Sequence, residues 1–168
     1  MGDGVVKIGW VGLAFVCVCG HGHAETRSNQ EGDGGYALIG DLMEPGSQSG
    51  NAIDIYGDSV IVGAFGHLDY RGGAYICSQS THPEMWDQVA ALETLHTLPP
   101  GARFGYDVAM HDGMAVVTAP GLDEGRAFVF RSDSPNDWTT QVILQANHPS
   151  PNSFGISVAM SDTCIVIG

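Results

Sequence analysis

Short apolar stretches separated by turn-forming residues recur along most of the chain. Alternation at Val108 and Met110, followed by the unbroken apolar run 115–117, predicts two strands, the second of them buried on both faces. Further strands are predicted at residues 126–130 and 138–144. Asp-Gly, glycine-rich and Ser-Pro-Asn-Asp segments stand between them and are typical of turns. The pattern therefore predicts a four-stranded antiparallel unit and no long helix.

This pattern occurs three times. Residues 104–117 and 154–167 align without a gap, since both begin with Phe-Gly and both contain Val-Ala-Met, and Phe104 and Phe154 lie 50 residues apart. A more divergent copy spans residues 49–62, which is 55 residues earlier, and has Ser49 in place of the phenylalanine. Recurrence at a steady period is typical of repeat architectures, in which each unit buries its face against a neighbour.

The correspondence continues downstream of each repeated block. The aligned segments are 63–66 with 118–121, and 73–76 with 126–129. In each copy a tryptophan, Trp86 or Trp138, then precedes a leucine by six positions. Tyr36 precedes Leu42 by the same six positions, which predicts the last strand of a preceding unit.

The Phe-Gly pair at 104–105 and the Ala-Pro-Gly segment at 119–121 resemble the FG-GAP repeat family, the integrin-α-like β-propellers. The resemblance covers roughly residues 36–168 and implies an all-β fold, an incomplete β-propeller of four-stranded antiparallel blades with about two to three blades present. The first copy departs from the family pattern at Ser49 and at Phe65, which stands where the second copy has proline.

The number of copies bears on the state of the chain. Family propellers usually close with about seven blades, whereas this chain holds fewer than about three units. Residues 164–168 also end inside the predicted second strand of a blade, and an exposed apolar edge invites pairing with another chain. We therefore expect a fragment of a longer protein, with possible self-association through open blade edges.

The N-terminal residues are typical of a secretion signal. The apolar run 8–19 follows Lys7 and is too short to span a bilayer as a stable helix, and small residues ending at Ala24 fit a cleavage site. We assign residues 1–24 to a signal peptide, with a short membrane anchor as the alternative, and residues 25–35 to a disordered, polar lead-in. The mature protein is expected to be secreted, extracellular or in the cell envelope, with no membrane span.

Cleavage after Ala24 would remove Cys17 and Cys19 and leave Cys77 and Cys164. These two fall in different repeats, and the sequence leaves open whether they lie within bonding distance. The expectation is two free, mostly buried thiols.

Composition narrows the function classes. Acidic residues outnumber basic ones 19 to 6, for a formal net charge of -13, so the surface repels phosphate backbones and anionic lipid. Nucleic acid is therefore not an expected partner. The 24 glycines and the low charged fraction of 15% suit many short strands joined by tight turns.

No metal or cofactor site is expected. Many integrin-type blades carry an Asp-x-Asp-x-Asp-Gly calcium loop, and this chain has none. The nearest candidates are Asp69, Asp123 and Glu124, and one or two acids cannot fill the six or more positions that calcium needs. We interpret them as solvated turn carboxylates.

No catalytic residue is expected either. Residues 155–159 approximate the Gly-x-Ser-x-Gly nucleophile elbow, which requires a strand before the serine and a helix after it. Here the segment leads into another predicted strand, and Ser157 aligns with Asp107 of the preceding copy. Ser157 is therefore interpreted as an ordinary position of the repeat.

The remaining histidines and tryptophans have structural interpretations. The histidines lack ligand spacing and are expected to be exposed loop residues; they are His67, His82, His96, His111 and His148. Trp86 and Trp138 occupy equivalent repeat positions, which favours a role as core anchors.

The function predicted from these features is that of an exported binding module rather than an enzyme, with loops that bind a protein or a glycan. Two alternatives remain open at this point. In the first, the chain is the propeller part of a secreted hydrolytic enzyme whose catalytic portion is absent. In the second, it is a structural spacer of a surface or envelope assembly. A fold alone does not choose among them.

Overall fold

The computed structural model describes residues 46–79, 86–134, 137–147 and 154–168. The predicted signal peptide at 1–24, the lead-in at 25–35 and the strand at 36–42 lie outside the described residues. The elements are β1 (Ser49–Tyr56), β2 (Ser59–Ala64), α1 (His67–Tyr70), β3 (Ala74–Gln79), β4 (Trp86–Ala91), β5 (Val108–His111), β6 (Met114–Ala119), β7 (Arg126–Ser134), β8 (Asp137–Leu144), β9 (Val158–Met160) and β10 (Ile165–Ile167).

The strands form antiparallel sheets in which each strand pairs with the next one along the chain. β1 to β4 make a four-stranded first sheet, β5 to β8 a four-stranded second sheet, and β9 and β10 a two-stranded third sheet. The all-β prediction is confirmed. Within the described ranges, no helix has the length and apolar character needed to cross a lipid bilayer.

The first hairpin of each sheet has the same register. Its two strands pair at positions that the sequence alignment makes equivalent, which are Ile53 with Val62, Val108 with Val117, and Val158 with Ile167. A slip of one residue would turn every side chain to the opposite face of the sheet. A shared register therefore means that equivalent side chains face the same way in all three hairpins. The three sequence copies are therefore three equivalent structural units.

The equivalence of the first two sheets extends to an irregularity. The pairing of β3 with β4 shifts between Ile76 and Cys77, and the pairing of β7 with β8 shifts between Val129 and Phe130. These positions are 53 residues apart in both cases, as the alignment of 73–76 with 126–129 requires. A bulge twists the strand that carries it, so the outer edges of the two sheets twist at the same place.

The middle strands carry most of the core. Ile61 of β2 and Val116 of β6 are completely buried, as their unbroken apolar runs predict. The third apolar run, at 164–167, resembles these two in sequence, and on that basis its burial between neighbouring units is also predicted; that prediction is wrong, since Val166 is 62% exposed. Within the described chain β10 pairs only with β9, so no further strand shields its outer edge.

The sheets stack in chain order. β5 lies against β1 and β2, and β9 lies against β5 and β6. One apolar cluster joins the first two sheets and includes Phe104, whose ring centroid is 5.4 Å from that of Phe128. A second cluster joins the second and third sheets through Val116 and Val129, against which Val158 packs. Each sheet thus covers a face of the sheet before it.

The cysteines differ from their predicted state. Cys77 is completely buried and disulfide-bonded, whereas Cys164 is free and exposed. The expectation of two free and mostly buried thiols is therefore wrong for Cys77, which is not free, and for Cys164, which is not buried. Cys77 is buried because β3 is an inner strand of a complete meander, and Cys164 is exposed because it precedes the uncovered strand β10.

Candidate functional site

The Phe-Gly pairs lie at the junctions between sheets. Gly105 has φ +84°, and a Cβ there would collide with the backbone oxygen of Gly73 in the first sheet. Gly155 has φ +90° and lies beside the oxygen of Arg126 in the second sheet, where an added Cβ would make a tight contact of 3.2 Å and not a collision. Because only glycine combines this φ with such close backbone approach, the motif joins sheets and contributes no reactive group.

Two aspartates, which sequence reasoning did not single out for this role, also connect neighbouring sheets. Asp54 Oδ2 accepts a hydrogen bond of 2.8 Å from the backbone N–H of Met110. Asp107 Oδ2 accepts one of 2.7 Å from the N–H of Val158. The sequence did contain a signal for this role, which is an acidic residue next to the apolar positions of a predicted strand. A carboxylate in such a position is half-buried and therefore requires hydrogen-bond donors.

A cavity of about 370 Å³ opens at one end of the first sheet. Its walls are α1 with the residues that follow it, the start of β3, and the segment 92–98 that leaves β4. This volume is within the range of small-ligand pockets, at roughly 300 to 1,000 Å³. It is the candidate functional site of the chain.

The cavity combines an apolar base with a polar rim. Ala74, Leu92 and Phe104 line it and are almost fully buried. Its polar lining includes His67, Arg71, Tyr75, Glu93, Thr94 and His96. Burial raises the pKa of the Tyr75 hydroxyl above its ordinary value of 10.0. Like any tyrosine, it is a hydrogen-bond donor at neutral pH.

The turn that borders the cavity is strained. Leu68, Asp69 and Tyr70 have φ values of 48°, 58° and 60°, so α1 contains three consecutive left-handed residues, none of them glycine. Each such residue costs about 1 to 2 kcal/mol, because its Cβ approaches the following carbonyl oxygen. Strain of this kind persists only where the surroundings hold it, and it occurs often at functional sites.

The surroundings that hold this turn belong to the segment leading into the second sheet. Asp69 O accepts a hydrogen bond from Gly101 N at 3.1 Å, and Tyr70 O accepts one from Arg103 N at 2.7 Å. Arg71 O accepts a third from Phe104 N at 3.0 Å. The wall of the cavity is thus fixed by the junction between the sheets.

Arg71 is held across the cavity opening. Its Nη1 donates a hydrogen bond of 2.6 Å to the backbone oxygen of Leu98, and its side chain is half-buried. Among the described residues the ion pair found is that of Arg126 with Asp123, and Arg71 takes part in none. Within the described part of the chain, no carboxylate thus offsets the positive charge of this half-buried guanidinium.

The predicted turn carboxylates are exposed. Asp69 and Glu124 point to solvent, and Asp123 accepts hydrogen bonds of 3.0 and 2.8 Å from Nε and Nη2 of Arg126. Within the described part of the chain, no group of three or more His, Cys, Asp or Glu residues is arranged to hold a metal ion.

Ser157 lies immediately before β9 and is exposed, so the segment 155–159 leads into a strand and not into a helix. Its backbone oxygen accepts a hydrogen bond from Gly168 N, as that of Asp107 accepts one from Thr118 N in the preceding unit. The predicted strand after Ser157 is confirmed.

The histidine prediction is confirmed for one residue and wrong for two. His96 is exposed in a loop, whereas His67 is half-buried beside the cavity. His111 is a half-buried residue of β5, with its ring centroid 4.5 Å from that of Tyr56 in the first sheet. Stacking between sheets is invisible in local sequence, which explains the error. His82 and His148 lie outside the described residues.

Trp138 packs against the main core cluster, which confirms its predicted role as a core residue. Trp86 begins β4, and its side chain lies outside what the structure describes.

Comparison of the chain with protein-family models gives no match, and a search of curated proteins gives none either.

Proposed function

We propose that the chain is part of an exported FG-GAP-type β-propeller that binds a protein or glycan ligand through the loops at its sheet ends. The observation that carries the proposal is the repetition itself. Three hairpins share one register, and two successive junctions use a Phe-Gly pair at the same place. Consecutive antiparallel meanders that stack face to face in chain order are the building plan of propeller blades.

The difference between the strands and the loop after β2 supports a binding role. The strands form a core with few polar groups, whereas the loop after β2 carries a strained backbone and borders an open cavity. Binding residues occur most often on loops that a rigid scaffold positions. The formal charge of -13 favours a ligand other than a nucleic acid.

Binding is tested by applying the mature chain to an array of glycans and purified extracellular proteins. The matched variant replaces residues 67–72 with Leu-Asp-Glu-Gly, the shorter turn that the second sheet uses at 122–125. We expect the natural chain to bind a subset of the array and the variant to lose that binding while circular dichroism still shows a folded β protein. A folded natural chain that binds nothing on the array would overturn the proposed function.

Export is tested separately by N-terminal sequencing of the product recovered outside the expressing cell. The expected first residue is Glu25, because cleavage is predicted after Ala24. Retention of the product in the membrane fraction with Met1 intact would favour the membrane-anchor alternative.

A further inference from the structure

The cavity beside α1 has the chemistry of an anion site within an acidic protein. Arg71 is an arginine of its lining, and no carboxylate of the described residues forms an ion pair with it. A partly desolvated guanidinium gains most from a planar carboxylate, which its fork of N–H groups can bind through two parallel hydrogen bonds. Since Nη1 already donates to Leu98 O, the guanidinium plane is fixed before any ligand arrives.

The remaining lining suits a sugar ring. Leu92 and Phe104 close the base of the cavity, and Leu68, which lines its wall and is 63% exposed, supplies apolar surface against which the C–H face of a pyranose can pack. Tyr75 and Thr94 add hydroxyl groups that can hydrogen-bond to the hydroxyls of a sugar. Binding pockets typically combine apolar walls with a few polar groups that fix the orientation of the ligand.

We propose that this cavity binds a hexuronic acid residue of an acidic glycan, with the sugar carboxylate on Arg71 and the ring against Leu68. The inference rests on the proposed function, because it names the ligand class of the same loops. The strained turn at 68–70 serves this site by holding the backbone of Arg71 against the segment 101–104. Preorganisation lowers the ordering cost of binding, which offsets part of the strain.

The second sheet shows what the same loop looks like without the site. There the turn at 121–125 is two residues shorter than the segment 66–72, and its arginine, Arg126, is already paired with Asp123 at 2.8 Å. An arginine neutralised in this way offers little to an anionic ligand. Uronate binding is therefore expected in the first sheet and not at the equivalent turn of the second.

The test is calorimetric titration of the mature chain with D-glucuronate, D-glucose and acetate at low ionic strength. Glucuronate is expected to bind about tenfold more tightly than either of the others, a ratio that corresponds to one good charge-assisted contact. Equal affinity for glucose would overturn the role of the carboxylate, and equal affinity for acetate would overturn the role of the sugar ring. No binding of glucuronate by the folded chain would overturn the proposal as a whole.

Two test variants and one control variant assign the site. Arg71→Gln keeps a donor for Leu98 O and is expected to weaken glucuronate about tenfold, whereas Arg131→Gln, an exposed arginine of β7, should leave the affinity unchanged. Glu93→Gln removes a negative charge from the rim and should tighten glucuronate about twofold, an effect that salt reduces. If Arg71→Gln does not fold, the Glu93→Gln variant decides, and an unchanged or weaker affinity there counts against the proposal.

Failure of this inference can be told from failure of the proposed function. A chain that binds neutral glycans or proteins on the array but shows no preference for glucuronate keeps its binding role and loses the acidic-sugar site. A chain that binds glucuronate with the expected preference, and loses it on Arg71→Gln, supports both.

Discussion

The first and second sheets share a strand order, a hairpin register and a bulge, and they differ at the loop that follows the second strand. In the first sheet this loop includes three left-handed residues and borders a cavity of about 370 Å³. In the second sheet it is a short turn closed by the pair of Arg126 with Asp123. The comparison shows that the strands repeat because packing constrains them, while the loop between them is free to differ.

The first and second units also differ at residues that lie next to neighbouring units. Phe104 is 2% exposed at the start of the second unit, whereas Ser49 occupies the equivalent position in the first. Among the described residues the buried hydroxyl of Ser49 has no hydrogen-bond partner. Phe65 replaces the proline of the second copy and contacts Tyr106, with ring centroids 5.2 Å apart.

The largest expected effect comes from adding a methyl group at a junction glycine. Gly105→Ala should destabilise the fold by about 4 kcal/mol or more, because the new Cβ would collide with Gly73 O and the positive φ would be strained. Gly101→Ala is the matched control, since Gly101 has the same φ of +84° and nothing within 4 Å of the added atom. That control should cost only about 1 kcal/mol. Denaturant unfolding followed by circular dichroism measures both, and equal losses would contradict close approach as the reason for the motif.

Truncation of the aromatic side chain at the same junction should have the next largest effect. Phe104→Ala is expected to cost about 3 kcal/mol, because it opens a void beside Phe128 and Phe130. Phe154→Ala removes the equivalent ring from the third unit, where the phenylalanine is only half-buried, and should cost about half as much. Thermal and chemical denaturation of the two variants test the ranking. A larger loss for Phe154→Ala would reverse our view of which junction is better packed.

The aspartates that bridge the sheets should contribute less. Asp107→Asn is expected to cost about 1.5 kcal/mol, because it weakens a charge-assisted hydrogen bond to Val158 N and places an amide where two acceptor oxygens are used. Asp54→Asn should lose a similar amount through its bond to Met110 N. Asp112→Asn, at an exposed hairpin tip, is the control and should stay within about 0.5 kcal/mol of the natural chain. Indistinguishable stabilities for all three variants would show that the bridges contribute nothing.

The smallest effect concerns Tyr75, whose counterpart in the second sheet is Phe128. Burial raises the pKa of Tyr75 in the folded chain above the 10.0 of an unfolded tyrosine, so the folded state holds this proton more tightly. Its contribution is complete below pH 10 and is lost as the pH rises through the folded pKa. Tyr75→Phe should therefore match the natural chain at pH 8 and lose less stability between pH 10 and 12. Melting temperatures across that range measure the difference, and parallel curves would contradict it.

The candidate site was predicted only in part. The sequence indicated that chemistry, if any, belongs to loops, and it singled out Asp69 in this turn only as a weak calcium candidate, interpreted as a solvated carboxylate. It gave no reason to combine Arg71 with Tyr75 and Leu98, because these residues approach one another only when the first sheet is folded and the next unit holds α1. Likewise His67 and His111 were expected to be exposed, since stacking and cavity formation depend on neighbours far along the chain.

By itself the sequence determined the antiparallel strands and their grouping into repeated units. It could do so because alternating apolar positions and turn residues act over a few neighbours, where the chain's own geometry sets the pairing. Only the tertiary structure decided the aspartate bridges between sheets, the exposure of Val166, the disulfide state of Cys77 and the cavity beside α1. Those features depend on which surfaces meet between units about fifty residues apart, and no local pattern encodes such a meeting.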